Sequence, residues 1–350
     1  MAEKVLTGMS GGVDSAVCTY LLKQQGYDVG GVNCHFYKGD AEFMKKQQID
    51  TEDAKRTADM LGIPFYVFDF TQEFQNKVIE NFINAYEQGA TPNPCIVCNK
   101  HLKFDSMLER AQQTGYEKIA TGHYAIIEKH GDRYLLKKGL DSTKDQSYVL
   151  YCLNQHQLSH TLLPLGGMTK EIAREIADEI GFSCAGKHDS QDICFIPDGD
   201  YASFIERYTG KAFPHGNFVN TEGRILGQHK GIIRYTVGQR KGLGLSLPAP
   251  MYVKEKNVAE NTVILCDNQT LFTKQLQATN INFIPFDTLS SPIRVKAKVR
   301  YKHQEQWATV EQTGEDSFTL VFDEPQRAIA KGQSVVLYDG DYIVGGGIIE

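Results

Sequence analysis

Two sets of residues have types and spacing that could do chemistry. The first is Gly8-Met9-Ser10-Gly11-Gly12-Val13-Asp14-Ser15, set between an apolar run at Val5 and Leu6 and a segment with Val17, Leu21 and Leu22 at helical spacing. The order strand, glycine turn, helix puts unpaired N–H groups and the positive end of a helix dipole at the turn. Gly11 and Gly12 lack a Cβ, so the backbone there can take positive φ and come close to a ligand. Such a spot binds phosphate. The chain has no G-x-x-x-x-G-K-[ST] and no G-x-G-x-x-G, so neither a Walker A cradle nor a dinucleotide fingerprint is present. Ser10 and Ser15 add hydroxyl donors. Asp14 suits an anion site only if a divalent cation lies between its carboxylate and the phosphates.

The second set is sulfur. In Thr91-Pro92-Asn93-Pro94-Cys95-Ile96-Val97-Cys98-Asn99-Lys100 two prolines force an extended loop ahead of a helix whose apolar face is Phe104, Met107, Leu108 and Ala111. The C-x-x-C is therefore expected at a helix N-terminus, which lowers a thiol pKa from its ordinary ~8.5 and places Cys98 as a nucleophile or metal ligand. Cys194 lies in Lys187–Phe195, a polar stretch. With Ile193 and Phe195 beside it, Cys194 alone reads as buried, and the need of the C-x-x-C for a partner gives it weight. His123, after the strand Ile119–Thr121, reads by itself as a structural histidine, and Lys144-Asp145-Gln146 as capping residues of a helix starting near Tyr148.

The elements that must position these residues alternate through the first half. Strand Lys4–Thr7, helix Ser15–Gln25, strand Val29–Phe36, helix Thr51–Leu61 and strand Phe65–Phe70 predict a parallel sheet, with ligands at the carboxyl ends of its strands. Cys34 falls on the second strand, near the expected place of an adenine ring. A helix with Phe74, Val78, Ile79, Phe82, Ile83 and Tyr86 inward follows, Arg133–Lys138 completes a hairpin, and Lys170–Ile180 reads as a purely structural helix. After about Tyr208 the pattern changes to short strands and glycine turns, including Thr236–Gly244. The expected fold class is an α/β N-terminal domain with a parallel sheet, followed by two small β-rich or β-barrel domains, divided as 1–207, 208–278 and 279–350. In Arg294–Lys302 every second residue is basic, which predicts five positive charges on one strand face, suited to a phosphate backbone.

Composition narrows the class. A net charge of −6 argues against a globally basic nucleic-acid binder but leaves room for a local stripe. Eight cysteines in a chain with no basic-then-apolar lead and no run near ~20 apolar residues are expected to be buried or chemically active rather than a disulfide framework. The expectation is a cytoplasmic protein without membrane contact.

The turn Gly8–Ser15 resembles the PP-loop of the ATP pyrophosphatases, adenine nucleotide alpha hydrolase-like proteins that split ATP to AMP and pyrophosphate. With Thr91–Phe104, Ala120–Tyr124, Lys144–Tyr148, Ala185–Ile196 and Thr236–Gly244 in this order, nearly the whole chain resembles the tRNA-specific 2-thiouridylases of the MnmA/TrmU family. That resemblance implies adenylation of the C2 oxygen of wobble uridines in tRNAs for Lys, Glu and Gln, then sulfur transfer. It implies that Gly8, Met9, Ser10, Gly11, Gly12, Val13, Asp14 and Ser15 hold ATP, with Cys34 and Gly122 near the nucleotide and Asp14 close to Mg²⁺. By the same resemblance Cys98 is the nucleophile and Cys194 carries a persulfide charged by a sulfur-donor protein. Asn93, Pro94 and Cys95 line the target base, and His123, Lys144, Asp145, Gln146, Tyr301, Lys302 and Gln333 touch tRNA.

Cys95 departs from the family, where aspartate is common, and Cys34 stands where methionine is common. Two sulfur routes stay open: a persulfide with disulfide formation, or a [4Fe–4S] cluster on Cys95, Cys98 and Cys194. Zinc lacks a second C-x-x-C and would need His101 or His123. Two other functions also fit parts of the chain: an amide-forming ATP pyrophosphatase, which leaves three cysteines idle, and a non-catalytic RNA-binding protein.

Overall fold

The computed structural model describes residues 2–187 and 193–350. The part of Ala185–Ile196 from His188 to Asp192 lies outside the described residues. Five strands form a parallel sheet in the spatial order Phe65–Asp69, Asp28–His35, Lys4–Gly8, Lys118–Ala120, Thr161–Leu162. Helices cover its two faces, and the central strand buries Val5 and Leu6 completely, one to each side.

The helix expected over Thr51–Leu61 spans Ala41–Leu61. Apart from the half-buried Phe43 its first ten residues are polar or exposed and carry little apolar periodicity, but Asp40 accepts from the Phe43 N–H and caps the early start. Gly62 ends it at φ 63°. The helical run Thr71–Glu87 is continuous but contains a π-helical stretch, Gln75–Ile79.

The second half is β-rich, as expected. A four-stranded sheet runs Tyr252–Asn257, Thr262–Cys266, Gly216–Val219, Ile225–His229. A six-stranded barrel begins at Phe272–Phe283 and continues through Ser317–Arg327, Gln306–Gly314, Ile293–Lys298, Ser334–Asp339 and Tyr342–Ile349, which pairs back with Phe272–Phe283. Its interior holds Val295, Ala297, Ala308, Val310, Phe318, Leu320 and Phe322. The hairpin Ala125–His130 and Arg133–Lys138, which leaves the first half between two strands of the parallel sheet, joins this barrel through the pair Tyr342 and Lys137. Among the described residues no helix is long and apolar enough to cross a membrane.

Candidate active site

All strands of the first sheet run the same way, so the segments after Gly8, after Cys34 and after Ala120 meet at one edge. The glycine turn Gly8–Ser15 is built mostly from backbone. Met9 and Val13 are buried and anchor it in the core, the Met9 N–H donates to the Val32 carbonyl at 2.7 Å, and Asn33 Nδ2 donates to the Met9 carbonyl at 2.7 Å. Gly11 takes φ 78°, and a Cβ there would lie 2.2 Å from the Asp50 carbonyl oxygen, so only glycine fits. Gly12 does not use that freedom: at φ −105° it is the extended N-cap of the helix Val13–Gln24. The two hydroxyls also differ. Ser15 Oγ donates to the Gly12 carbonyl and accepts from the Ser10 N–H, stapling the turn, whereas Ser10 is exposed. Gly122 leans on the turn, since a Cβ there would meet the Asp14 backbone at 2.8 Å. Gly8 is closest to Met107 Sδ, 3.6 Å from where its Cβ would be.

Asp14 is held by protein groups. Lys170 Nζ reaches both carboxylate oxygens at 2.8 Å, and Tyr124 Oη donates to Oδ1 at 2.7 Å. An ammonium thus sits beside the Asp14 carboxylate, and Lys170–Ile180 is more than a structural helix. The signal that could have found Lys170 is its place directly after Thr169, the N-cap, at the first turn of a helix. Lys187 is a second cation missed from the sequence. It donates to the Gly11 carbonyl at 3.1 Å and pairs with Asp50 and Asp53, each at 2.7 Å. Burial opposes its charge, but the hydrogen bonds with the two aspartates outweigh burial and hold its pKa above the ordinary lysine range.

The cysteines come from separate elements. Asn93 caps the short helix Pro94–Cys98 by accepting from the Cys95 N–H, with Pro94 in the first turn. Cys95 is exposed, while Cys98, one turn on, is buried in the main core with Ile96, Leu102 and Phe104. Cys194 is at the surface, fastened by its neighbour Phe195, whose ring lies 5.4 Å from Phe74, 5.5 Å from Phe82 and 5.2 Å from Phe204. Cys98 feels the charges of Cys194, Cys95 and Lys103, and Cys34 feels those of Cys98 and Lys103, so these side chains share one region. The lowered thiol expected at Cys98 is not found. Burial pushes Cys98 up to about 12 despite Lys103, burial and then Cys95 push Cys194 up to about 11, and burial pushes Cys34 up to about 12. Cys98 is a neutral thiol at neutral pH, because enclosure in the core outweighs the helix terminus. All eight cysteines are free. Among the described residues no three of His, Cys, Asp and Glu converge to hold a metal.

His123 accepts from or donates to Thr121 Oγ1 at 2.8 Å and packs on Phe104 at 5.6 Å. Burial, and then Lys103, push it down to about 3, so it is a neutral hydrogen-bonding ring. Asp145 takes the N–H groups of Gly139 and Ser147 and the Ser147 hydroxyl, and Gln146 Oε1 takes the Tyr124 N–H. Their carboxylate and amide shape the loop, and the helix after them is Ser147–Leu150. Lys144 is half-buried on the same loop.

Tyr301 is exposed and donates to the Asp145 carbonyl at 2.8 Å, with Lys302 exposed beside it. Gln333 Nε2 donates to the Thr91 carbonyl at 2.6 Å, clasping the barrel to the loop before Asn93 and Pro94. The basic strand is shorter and less free than expected. It ends at Lys298, Arg294 pairs with Asp323, Lys298 lies 3.7 Å from Glu305, and Arg300 donates to the carbonyls of Val237 and Ala328. Arg300 is a clamp between the second sheet and the barrel rather than a phosphate contact.

Three family models match this chain: the tRNA methyl transferase HUP domain over residues 3–198, the tRNA methyl transferase PRC-barrel domain over 202–267 and the aminomethyltransferase beta-barrel domain over 273–349. The tRNA-specific 2-thiouridylase MnmA of Clostridioides difficile (strain 630) is 53% identical over 100% of this chain and 99% of that protein. MnmA 1 of Clostridium botulinum (strain Loch Maree / Type A3), also named a tRNA-specific 2-thiouridylase, is 50% identical over 100% of both. Among solved structures, the U34-tRNA thiolase NcsA from Methanococcus maripaludis with its [4Fe–4S] cluster is 16% identical, covers 59% of this chain and 66% of that one, and overlays with a TM-score of 0.36, too loose a fit to transfer side-chain roles. On the full-length identity to the two clostridial proteins, the chain belongs to the family of tRNA-specific 2-thiouridylases.

Proposed function

We propose that the chain uses ATP to replace the C2 oxygen of a tRNA wobble uridine by sulfur, with tRNAs for Lys, Glu and Gln as substrates. Support comes chiefly from one juxtaposition: thiols from two distant segments, Cys98 and Cys194, share a region at the sheet edge where the glycine turn lies. A methyl transfer needs neither an ATP turn nor a thiol pair. An amide-forming pyrophosphatase leaves the thiols without work.

In this reading the uridine C2 oxygen attacks the α-phosphorus of ATP and pyrophosphate leaves. Activation is needed because oxide is a poor leaving group, and AMP is a good one. The terminal sulfur of a Cys194 persulfide then attacks C2 and AMP departs with the former C2 oxygen. The Cys98 thiolate attacks the Cys194 sulfur, which breaks the sulfur–sulfur bond, leaves sulfur on C2 and forms a Cys98–Cys194 disulfide. An external dithiol reduces that disulfide, and a sulfur-donor protein recharges Cys194. Mg²⁺ enters with ATP as part of the substrate.

The nucleotide is assigned to the backbone of Gly8–Ser15 with Cys34 and Gly122, and the base to Asn93, Pro94 and Cys95. His123, Lys144, Tyr301 and Lys302 meet the RNA, while Asp145, Gln146 and Gln333 hold its contact loops in shape. The two β units supply the RNA surface, and the parallel-sheet unit supplies the chemistry.

The test is single-turnover reaction with a persulfide-loaded chain, ATP and unmodified tRNA, reading pyrophosphate and 2-thiouridine together. Cys194→Ser should release pyrophosphate and form no 2-thiouridine, and so should Cys98→Ser. Thiolation by either variant at the wild-type rate sinks the persulfide route. Iron and labile sulfide retained through anaerobic purification and lost in Cys95→Ser would instead support the cluster route.

A further inference from the structure

The acid in the ATP turn poses an electrostatic problem. Asp14 lies in the first turn of the helix Val13–Gln24, where its charge opposes a triphosphate arriving at the same N-terminus. Lys170 answers it: its side chain is almost wholly buried, and its ammonium is 2.8 Å from each carboxylate oxygen, a fork that fixes the carboxylate plane. Two ties fix Lys170 and Asp14 in turn. The Lys170 N–H donates to Asp141 Oδ2 at 3.0 Å, and Tyr124, which hydrogen-bonds Asp14, exchanges backbone and side-chain bonds with Gln146. Both ties lead into the loop 141–146, whose Asp145 carbonyl receives the Tyr301 hydroxyl from the barrel side.

We propose that Lys170 is the positioning residue of the ATP turn: it holds Asp14 in a locally neutral pair, so that the helix N-terminus stays attractive to the triphosphate. The inference rests on Gly8–Ser15 being the ATP site. It assigns the Asp14 carboxylate to Lys170 and not to a metal ion. Loss of the ammonium leaves a bare carboxylate facing the phosphates. Loss of both charges restores a neutral turn.

The experiment is equilibrium binding of radiolabelled Mg·ATP to the full chain without tRNA, with a thermal melt of each variant. Lys170→Met should weaken ATP binding by about tenfold or more. The Asp14→Asn/Lys170→Met double variant should recover to within about threefold of wild type, a coupling that independent sites do not show. Asp14→Asn alone should bind at least as tightly as wild type, and Lys170→Arg should keep most of the affinity. Wild-type affinity in Lys170→Met, or a folded double variant that binds no better than the single one, overturns the proposal. So does a tenfold loss in Asp14→Asn alone, which gives the carboxylate to Mg²⁺. Should Lys170→Met fail to fold, the double variant and Lys170→Arg still decide. A wild-type chain that binds no ATP refutes the ATP site itself, a separate result.

Discussion

The nucleotide turn and the sulfur region adjoin one another at the same sheet edge and are built on opposite principles. Around Gly8–Ser15 charges are present and paired: Asp14 with Lys170, and Asp50 and Asp53 with Lys187. Around Cys98 charge is suppressed, since burial raises the thiol pKa and holds Cys98 neutral. The turn is ready for an anionic ligand as it stands. A buried neutral thiol such as Cys98 reacts slowly until its surroundings change.

The hardest blow to the turn is Gly11→Val. Its positive φ and the 2.2 Å approach to the Asp50 carbonyl predict a loss of about 3 kcal/mol or more, with ATP binding abolished. Gly12→Ala, at a negative φ and with Ser10 Oγ as its nearest neighbour at 3.5 Å, should cost under ~1 kcal/mol. Equal effects in thermal melts would mean that the turn is not held in this shape.

Lys187→Met comes next. It strips both aspartates of their partner, yet a third of the lysine side chain is exposed, so the expected cost is about 1–3 kcal/mol, below that of a fully buried pair. No change in chemical denaturation would remove Lys187 from the scaffold of the turn.

The sulfur half is tested by pH. Iodoacetamide should label Cys98 slowly at pH 7, at a rate that climbs toward its pKa of about 12, and peptide mass spectrometry reads the label. Fast labelling at pH 7 in the free chain would erase the contrast between the regions. Fast labelling only with tRNA and ATP present would sharpen it. The stability consequence has a definite sign. A thiol whose folded pKa is above its ordinary ~8.5 stabilises the fold fully below that value and loses the contribution as pH rises toward 11–12, so unfolding should become easier above about pH 9.

The smallest effect separates two arginines from one lysine on the barrel. Lys302→Gln should lower the salt slope of tRNA binding by about one. Arg300→Gln should leave the slope and lower the melting temperature by loosening the clamp on Val237 and Ala328, while Arg294→Gln should change neither. A slope altered by Arg300→Gln alone restores the basic stripe as an RNA contact.

What was legible in the letters was what depends on local pattern. Alternation of strand and helix periods foretold the parallel sheet, and the glycine turn and the C-x-x-C announced themselves by residue type. The rest depends on tertiary partners. Asp40 starts a helix that its own weak periodicity does not. The helix N-terminus near Cys98 was read correctly, but its effect on the thiol was not, because burial outweighs a partial charge once Leu102 and Phe104 close over the region. Alternate basic residues say that charges share a strand face, but not that Asp323, Glu305 and two backbone carbonyls occupy them. Lys170 and Lys187 lie far along the chain from the turn they brace, and although Lys187 falls within Ala185–Ile196, no local pattern ties either lysine to Asp14, Asp50 or Asp53.

The hairpin Arg133–Lys138 has a consequence for synthesis. Its pairing partner Tyr342, the Ser334 carbonyl that receives the Tyr148 hydroxyl, and the Lys331 and Gln333 groups that bind Thr91 are all made some two hundred residues later. A ribosome that has passed Lys187 has therefore made the glycine turn and the lysines that brace it, while the walls around the thiols and the loop 141–146 still lack their outer supports. Until the strand Tyr342–Ile349 emerges, that hairpin presents an unpaired edge to other chains. Growing chains stalled in the barrel are thus the form of this protein most exposed to aggregation.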